Sequence, residues 1–427
     1  MTFENFDRIF EHIGGFGRYQ MLLFVFGCLL NIFVAIVYCG QIFITLTPPH
    51  WCSAPPELLH LNLSEQQLKL LTVPLREDGT DFHTCLRYTV NLTQVTWDNI
   101  SRPDPSWPIT SCTDGWTYNY SLYYPTITSQ MDWVCEDDWR PTMAQSLFFI
   151  GSLFGCPTLG WVADRWGRIP TTVFSNLLAA IIGIASAFSS SFIMFIVSRF
   201  LIGFIYEQHY TIGFILMLEY VGPKYRTLVS NLPSVFYIGT NCVLPWLAWA
   251  VADWKMYTIV IHVPLLLSLS FIWIIPESAR WLLGQGRVEE TLNIIKRAAE
   301  VNQRSLSPDV IRDIKVFSAQ RTDIKKSSGV LDLMRSRVLR KRFILLCVMW
   351  SVSNLAYDAH LRNTENTGYN VFLSFTIASV MELPATVMAI ICTEWLGRRH
   401  TTVWSIVLTG MIGLPVTALS IGMAILL

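Results

Sequence analysis

Three acidic residues, Glu207, Asp358 and Glu382, stand inside stretches that are otherwise apolar. An ionised side chain at a bilayer centre costs at least ~2.5 kcal/mol, so a carboxylate kept there is expected to hold a cation or to pair across helices. Simple helix packing is the plainer role for each of them. Charges of both signs gather at the ends of the apolar stretches. Gly160-Trp161-Val162-Ala163-Asp164-Arg165-Trp166-Gly167-Arg168 sets an acid and two guanidiniums around a glycine. Glu394-Trp395-Leu396-Gly397-Arg398-Arg399 repeats that arrangement with Glu in place of Asp. Glycine lets the chain reverse, and ion pairs at a membrane face can lock one conformation and release it in another. Glu219 with Arg226, and Glu277 with Arg280, bracket two further charged turns. No G-x-S-x-G, no His/Cys metal spacing and no glycine-rich phosphate loop accompanies these groups. The expected chemistry is therefore binding and conformational exchange, with no catalytic residue, metal or cofactor implied.

The elements that carry these residues are membrane helices. Of the 427 residues, 52% are apolar and 15% charged, whereas soluble domains carry about 25% charged residues. Lys and Arg number 31, as do Asp and Glu, so no excess charge points to nucleic acid. A bilayer core needs about 20 apolar residues in helical form. By that test nine spans are expected, at residues 21–45, 143–163, 171–188, 192–218, 228–251, 256–275, 343–361, 371–391 and 401–427. The amino-terminal segment carries both charge signs and no small-residue cleavage site, so the first span reads as a retained helix rather than a signal peptide.

Residues 46–140 form a polar, acidic loop that holds four Asn-x-Ser/Thr sequons, at Asn62, Asn91, Asn99 and Asn119. Their confinement to one loop argues for glycosylation outside the cell. Cys52, Cys85, Cys112 and Cys135 share the loop, which suggests two disulfides in any of three pairings. The other six cysteines read as small buried apolar residues. Residues 277–342 are basic and end in Arg340-Lys341-Arg342, and positive loops stay in the cytoplasm. The expected order is a cytoplasmic segment 1–20, a first helix 21–45, an outside loop 46–140, helices across 141–276, a cytoplasmic helical loop 277–342 and helices across 343–427. Within the basic loop, Val288, Leu292, Ile295 and Ala299 fall on one helical face, and Ser307-Pro308 reads as a helix start.

The first charged turn resembles the G-x-x-x-D-R-x-G-R signature of the major facilitator superfamily, and Gly151 and Gly155 before it have a spacing that lets helices approach closely. The second copy follows six spans later, as in that superfamily's two six-helix halves. Pro276-Glu277-Ser278-Ala279-Arg280-Trp281-Leu282 resembles the P-E-S-x-R-W-L of its sugar and organic-ion branches. Together with the turn from Glu219 to Arg226, Asp253-Trp254 and the long first loop, the pattern resembles solute carrier family 22, from Phe6-Asp7 to the ninth span. That family carries organic cations, organic anions and carnitine on twelve spans.

The resemblance implies an all-α integral membrane protein of major facilitator fold, with a complete amino-terminal six-helix half and a partial, three-helix carboxy-terminal half. A shortened product or isoform is the matching expectation. It assigns gating to Asp164, Arg165, Arg168, Glu219, Arg226, Glu277, Arg280, Glu394 and Arg398. It places Tyr210, Phe214, Trp350 and Tyr357 around a central cavity with Glu382, Asp358 and Glu207, where ring faces complement a bound cation. Arg199, at the beginning of the fourth span, reads as an interface anchor or gate partner, and His209 as a packing residue. The implied function is alternating-access movement of small organic ions across the plasma membrane, cations or zwitterions ahead of anions. The alternatives are an organic anion carrier and a non-transporting chain with a regulatory role. Its partners would be the substrate and the lipid bilayer.

Overall fold

The computed structural model describes residues 15–56, 58, 63–76, 81–89, 107–306, 308, 311–312, 314–316, 334–363 and 370–426, with the side chains of 207–210, 223, 362–363 and 416–426 outside that description. A helix stands at each of the nine expected spans: α1 (Arg18–Ile44), α2 (Trp139–Trp166), α3 (Arg168–Ser186), α4 (Phe192–Glu219), α5 (Ser234–Val251), α6 (Trp254–His262), α7 (Arg337–Asn363), α8 (Val371–Trp395) and α9 (Arg398–Leu426). Their starts follow from local chemistry, since a short polar side chain at a helix start accepts an N–H that has no intrahelical partner. The Ser191 hydroxyl takes the Met194 N–H at 3.3 Å. The Asp253 carboxylate takes that of Met256 at 2.9 Å, and the Asn370 side chain that of Phe372 at 3.0 Å.

Among the described residues eight helical spans are long and apolar enough to cross a membrane, the last being α8. Residues of the ninth expected span form the helix α9, which is not among those eight. The sixth is not a single α-helix: α6 gives way to a 3-10 stretch, Val263–Ser270, and a final turn, Phe271–Ile274. Pro264 lies at the start of that stretch, where it lacks an N–H and its ring crowds the preceding turn.

The first six helices form one bundle around α1, which packs on α4, α5 and α6. The most extensive contact joins α2 to α4. A Cβ on Gly151 or Gly155 would run into the backbone of Phe200 or Phe204, and one on Gly203 into the backbone of Phe148. The small-residue spacing thus does what the sequence implies, on both helices. α8 lies along α5, burying Phe372 and Phe375 against Phe43 of α1. Most of the described surface of α7 and α9 is exposed.

The bundle is helical, but the loop after α1 adds four short strands, β1 (His50–Cys52), β2 (Leu86–Tyr88), β3 (Ile109–Ser111) and β4 (Trp116–Tyr118), so "all-α" holds for the membrane part alone. β1 pairs antiparallel with β4, His50 opposite Tyr118, and β2 with β3, Leu86 opposite Ser111. Of the three possible disulfide patterns the structure has Cys52–Cys112 and Cys85–Cys135. The returning chain is fastened to the last turn of α1, whose carbonyls have no helical partners. Tyr124 donates to the Phe43 carbonyl at 2.7 Å, Thr128 to Thr45 at 3.0 Å and Thr126 to Leu46 at 2.7 Å. Asn119, exposed after β4, accepts the Ser121 N–H at 2.9 Å, while Asn62, Asn91 and Asn99 lie outside the described residues. Of the other six cysteines only Cys28 and Cys39 are buried. Cys156 and Cys347 are exposed and Cys242 and Cys392 half-buried, because their helices turn those faces away from the bundle.

Candidate functional site

Two groups of functional side chains are assembled, one between α1, α5, α7 and α8 and one at the end of the bundle opposite the large loop. In the first, the Tyr38 hydroxyl on α1 donates to the Asp358 carboxylate on α7 at 2.9 Å. One residue earlier on α7, the Tyr357 hydroxyl lies 3.3 Å from that of Tyr237 on α5 and within electrostatic reach of the Glu382 carboxylate of α8. Cys39 closes the chain at 3.4 Å from Tyr237. Tyr206 stacks on Tyr38 with ring centres 5.7 Å apart, and Phe148 lies 5.1 Å from Tyr206. Two carboxylates walled by tyrosine hydroxyls and ring faces form a surface suited to a positively charged group.

Of the residues expected around the cavity, this group gathers Tyr357, Asp358 and Glu382. Trp350 stands 71% exposed two turns before Tyr357, because α7 meets the bundle only towards its carboxy end, at Tyr357, Asp358 and Leu361. Phe214 packs with Phe16, Phe24 and Tyr225 against Met217 and Val229. The side chains of Glu207, His209 and Tyr210 lie outside the described residues. Tyr38, Tyr206 and Tyr237 were not anticipated. Three tyrosines in apolar helices, each needing a partner for its hydroxyl, were the available signal. Arg199 is not at a membrane interface: it is 1% exposed, well inside α4, with Nη1 3.4 Å from Gln41 Oε1 and its guanidinium 4.9 Å from the Phe195 ring centre.

The second group brings together three segments far apart in sequence. Gly167 ends α2 and starts α3 with φ at +114°, a conformation that glycine adopts freely. The Glu277 carboxylate sits over the start of α3 and accepts from the N–H groups of Arg168 at 2.9 Å and Ile169 at 3.2 Å, and from Ser278 at 2.9 Å. A negative charge at a helix start is favoured by unpaired N–H groups and the helix dipole. Burial pushes this carboxyl above the usual carboxylate range, and the three donors and Arg168 pull the other way. A Cβ on Gly167 would collide with Glu277 Oε2. Arg168 Nη1 pairs with Asp164 Oδ1 at 2.8 Å, and the Asp164 carbonyl accepts from Trp281 Nε1 at 2.7 Å and Gln285 Nε2 at 3.1 Å. Ser278 donates to the Glu219 carboxylate, and Arg280 lies within electrostatic reach of that acid. The Tyr220 hydroxyl donates to the Glu277 carbonyl at 2.7 Å and accepts the Ala279 N–H at 3.0 Å. Arg165 lies over the Trp161 ring at 5.4 Å, and Arg226 begins the short helix Arg226–Asn231 that leads into α5. Among the described residues Glu394 and Arg398 make no ion pair.

His50 comes within 4.8 Å of Cys85 and Cys135, but those sulfurs are bonded to each other and offer no thiolate to a metal.

A helical bundle with acids between its helices and charged glycine turns where they join is a membrane transporter of the major facilitator type. The proton:xylose symporter XylE superposes with a TM-score of 0.50 over 90% of this chain and 69% of its own, at 16% identity, a likeness of fold alone. The family described as sugar (and other) transporter matches residues 111–427. Solute carrier family 22 member 3 of Mus musculus is 30% identical over 409 residues, covering 92% of this chain and 72% of its own. Organic cation/carnitine transporter 2 of Homo sapiens is 30% identical over 427 residues, covering 96% and 74%. The chain belongs to solute carrier family 22 of the major facilitator superfamily.

Proposed function

We propose that this protein carries small organic cations or zwitterions across the plasma membrane by alternating access, with a six-helix half, α1 to α6, working against α7 to α9. The amino terminus and residues 277–342 lie in the cytoplasm, and the disulfide-bonded loop lies outside. The observation that carries the charge preference is the Glu382–Tyr357–Tyr237 chain beside Asp358–Tyr38. An acid in a low-dielectric cavity repels an anion with little screening and attracts an ammonium group that also stacks on tyrosine. The cluster of Asp164, Arg168, Glu219, Glu277 and Arg280 is the gate-side lock, and Arg165, Arg226, Glu394 and Arg398 belong to the same switching face. A name such as organic cation/carnitine transporter 2 in a relative supports the same substrate class.

Uptake into vesicles containing the full chain tests this. A tetraalkylammonium probe should enter faster than an anion of similar size, and Glu382→Gln should weaken its uptake by about 1–3 kcal/mol, as for one lost charge-assisted contact. Faster anion uptake, or unchanged cation uptake in the variant, would remove Glu382 from the site. Organic anions are the second reading. It is favoured by Arg199, whose Nε and Nη2 have no hydrogen-bond partner among the described residues.

A further inference from the structure

Two grooves adjoin on the outer face of the bundle where α1 meets the end of the sixth span. One, of about 400 Å³, runs between Leu22, Val25 and Leu29 of α1 and Leu267 and Ile274, and ends at Arg297. The other, of about 440 Å³, shares Leu22 and Val25 and includes Arg18. The walls are apolar and open outward: Leu22 is 60% exposed and Leu267 67%. Such a face is expected of any helix in lipid, but the two guanidiniums at one end of it are not. Arg18 and Arg297 make no ion pair among the described residues.

Both are held in place. Arg297 belongs to the helix Val288–Val301, which buries Leu292, Ile295 and Ala299. Just beyond it, Asn302 accepts the Tyr19 N–H at 2.9 Å and donates to Gln20 at 2.9 Å, stitching that helix to the start of α1. Arg297 thereby stands within electrostatic reach of Tyr19. Arg18 is the first residue of α1, where unpaired N–H groups add positive partial charge. From Arg18 to Leu29 the helix rises about 17 Å, close to the ~15 Å hydrocarbon depth of one leaflet.

We propose that this groove binds an anionic phospholipid of the cytoplasmic leaflet, one acyl chain lying along α1 and the sixth span and its headgroup held between Arg18 and Arg297. The leaflet assignment rests on the cytoplasmic placement of the amino terminus given above. Charge complementarity selects the occupant: a phosphatidylcholine headgroup brings its own cation, whereas phosphatidylserine leaves a net negative charge for the two guanidiniums, and basic pockets on cytoplasmic faces recognise such lipids.

The test is native mass spectrometry of the full chain in detergent, with phosphatidylserine or phosphatidylcholine of identical acyl chains. Retention of phosphatidylserine should exceed that of phosphatidylcholine by about tenfold, the scale of one to two basic groups near an anionic surface. Arg18→Gln combined with Arg297→Gln should remove the preference, and Lys296→Gln, one residue away on the same helix, should keep it. Ser270→Phe, which fills the groove and leaves both charges, should lower retention of both lipids. Equal retention of the two lipids by the wild type, an unchanged preference in the double variant, or an equal loss in Lys296→Gln would overturn the site. Should the double variant not fold, Ser270→Phe decides, since unchanged retention there sinks the proposal. The measurement needs neither transport nor orientation. Cytoplasmic placement is read separately, by whether a tag at Ser305 is reached only after permeabilisation.

Discussion

The two charged turns, around Gly167 and around Gly397, are near copies in backbone and opposites in surroundings. Both glycines have positive φ, +114° and +80°. In both, the threonine four residues on donates to the glycine carbonyl, Thr171 at 2.8 Å and Thr401 at 3.1 Å. The next threonine donates to the arginine carbonyl, Thr172 to Arg168 at 3.0 Å and Thr402 to Arg398 at 2.9 Å. The same short sequence thus builds the same helix–turn–helix joint twice. At the first joint, Glu277 covers the new helix start and Trp281 and Gln285 hold the old helix end. At the second, a Cβ on Gly397 would meet nothing within 4 Å. A local motif sets the turn, and the partner segment decides whether that turn becomes part of a lock.

The glycines test this most severely. Gly167→Ala meets both a disfavoured φ, costing about 1–2 kcal/mol, and the Glu277 carboxylate, whose displacement adds about 1.5–3 kcal/mol through lost charge-assisted bonds. Gly397→Ala meets the φ penalty alone. Thermal unfolding of the detergent-solubilised variants should show a loss at Gly167 at least about twice that at Gly397, and equal losses would mean that the packing around the first joint adds nothing.

The acids give the next contrast. Glu277→Ala should destabilise by about 2–3 kcal/mol, because it strips a helix start of its acceptor. Glu394→Ala, at an exposed position without an ion pair, should stay within about 0.5 kcal/mol. A denaturation midpoint that moves as far for Glu394 as for Glu277 would show that the second joint has a partner of its own.

The smallest effect is a dependence on pH. Burial holds the folded-state pKa of Glu277 above its ordinary 4.5, so the folded protein binds a proton there more tightly than the unfolded chain does. Its contribution is therefore fully present below about 4.5 and is lost as pH rises through the higher folded value. Replacing Glu277 by Gln should flatten this part of the stability profile between pH 4 and neutrality. A slope of the opposite sign would mean that the backbone donors outweigh burial.

Much of this was legible in the chain itself. The nine helices, the glycine spacing behind the α2–α4 contact, the even cysteine count in one loop and the duplicated turn all depend on residues close in sequence. Hydrophobic length, helical period and positive φ at glycine are local properties, and local properties can be read from a string of residues. The threonine pair that completes each joint belongs to the same class. The break in the sixth span also has a local cause, Pro264.

What tertiary structure alone decided are the meetings. The pairing of Cys52 with Cys112 and Cys85 with Cys135 needed the strands to find their partners. The meeting of Tyr237, Tyr357 and Glu382 brings three helices together, and the capping of α3 by Glu277 spans more than a hundred residues. The exposure of Trp350 while Tyr357 is packed depends on which end of α7 meets the bundle. The burial of Arg199 against Gln41 depends likewise on how α4 lies against α1. A sequence states which groups need partners, since a buried hydroxyl, carboxylate or helix start is costly when left alone. Only the packing of one helix against another determines which partner each of them receives.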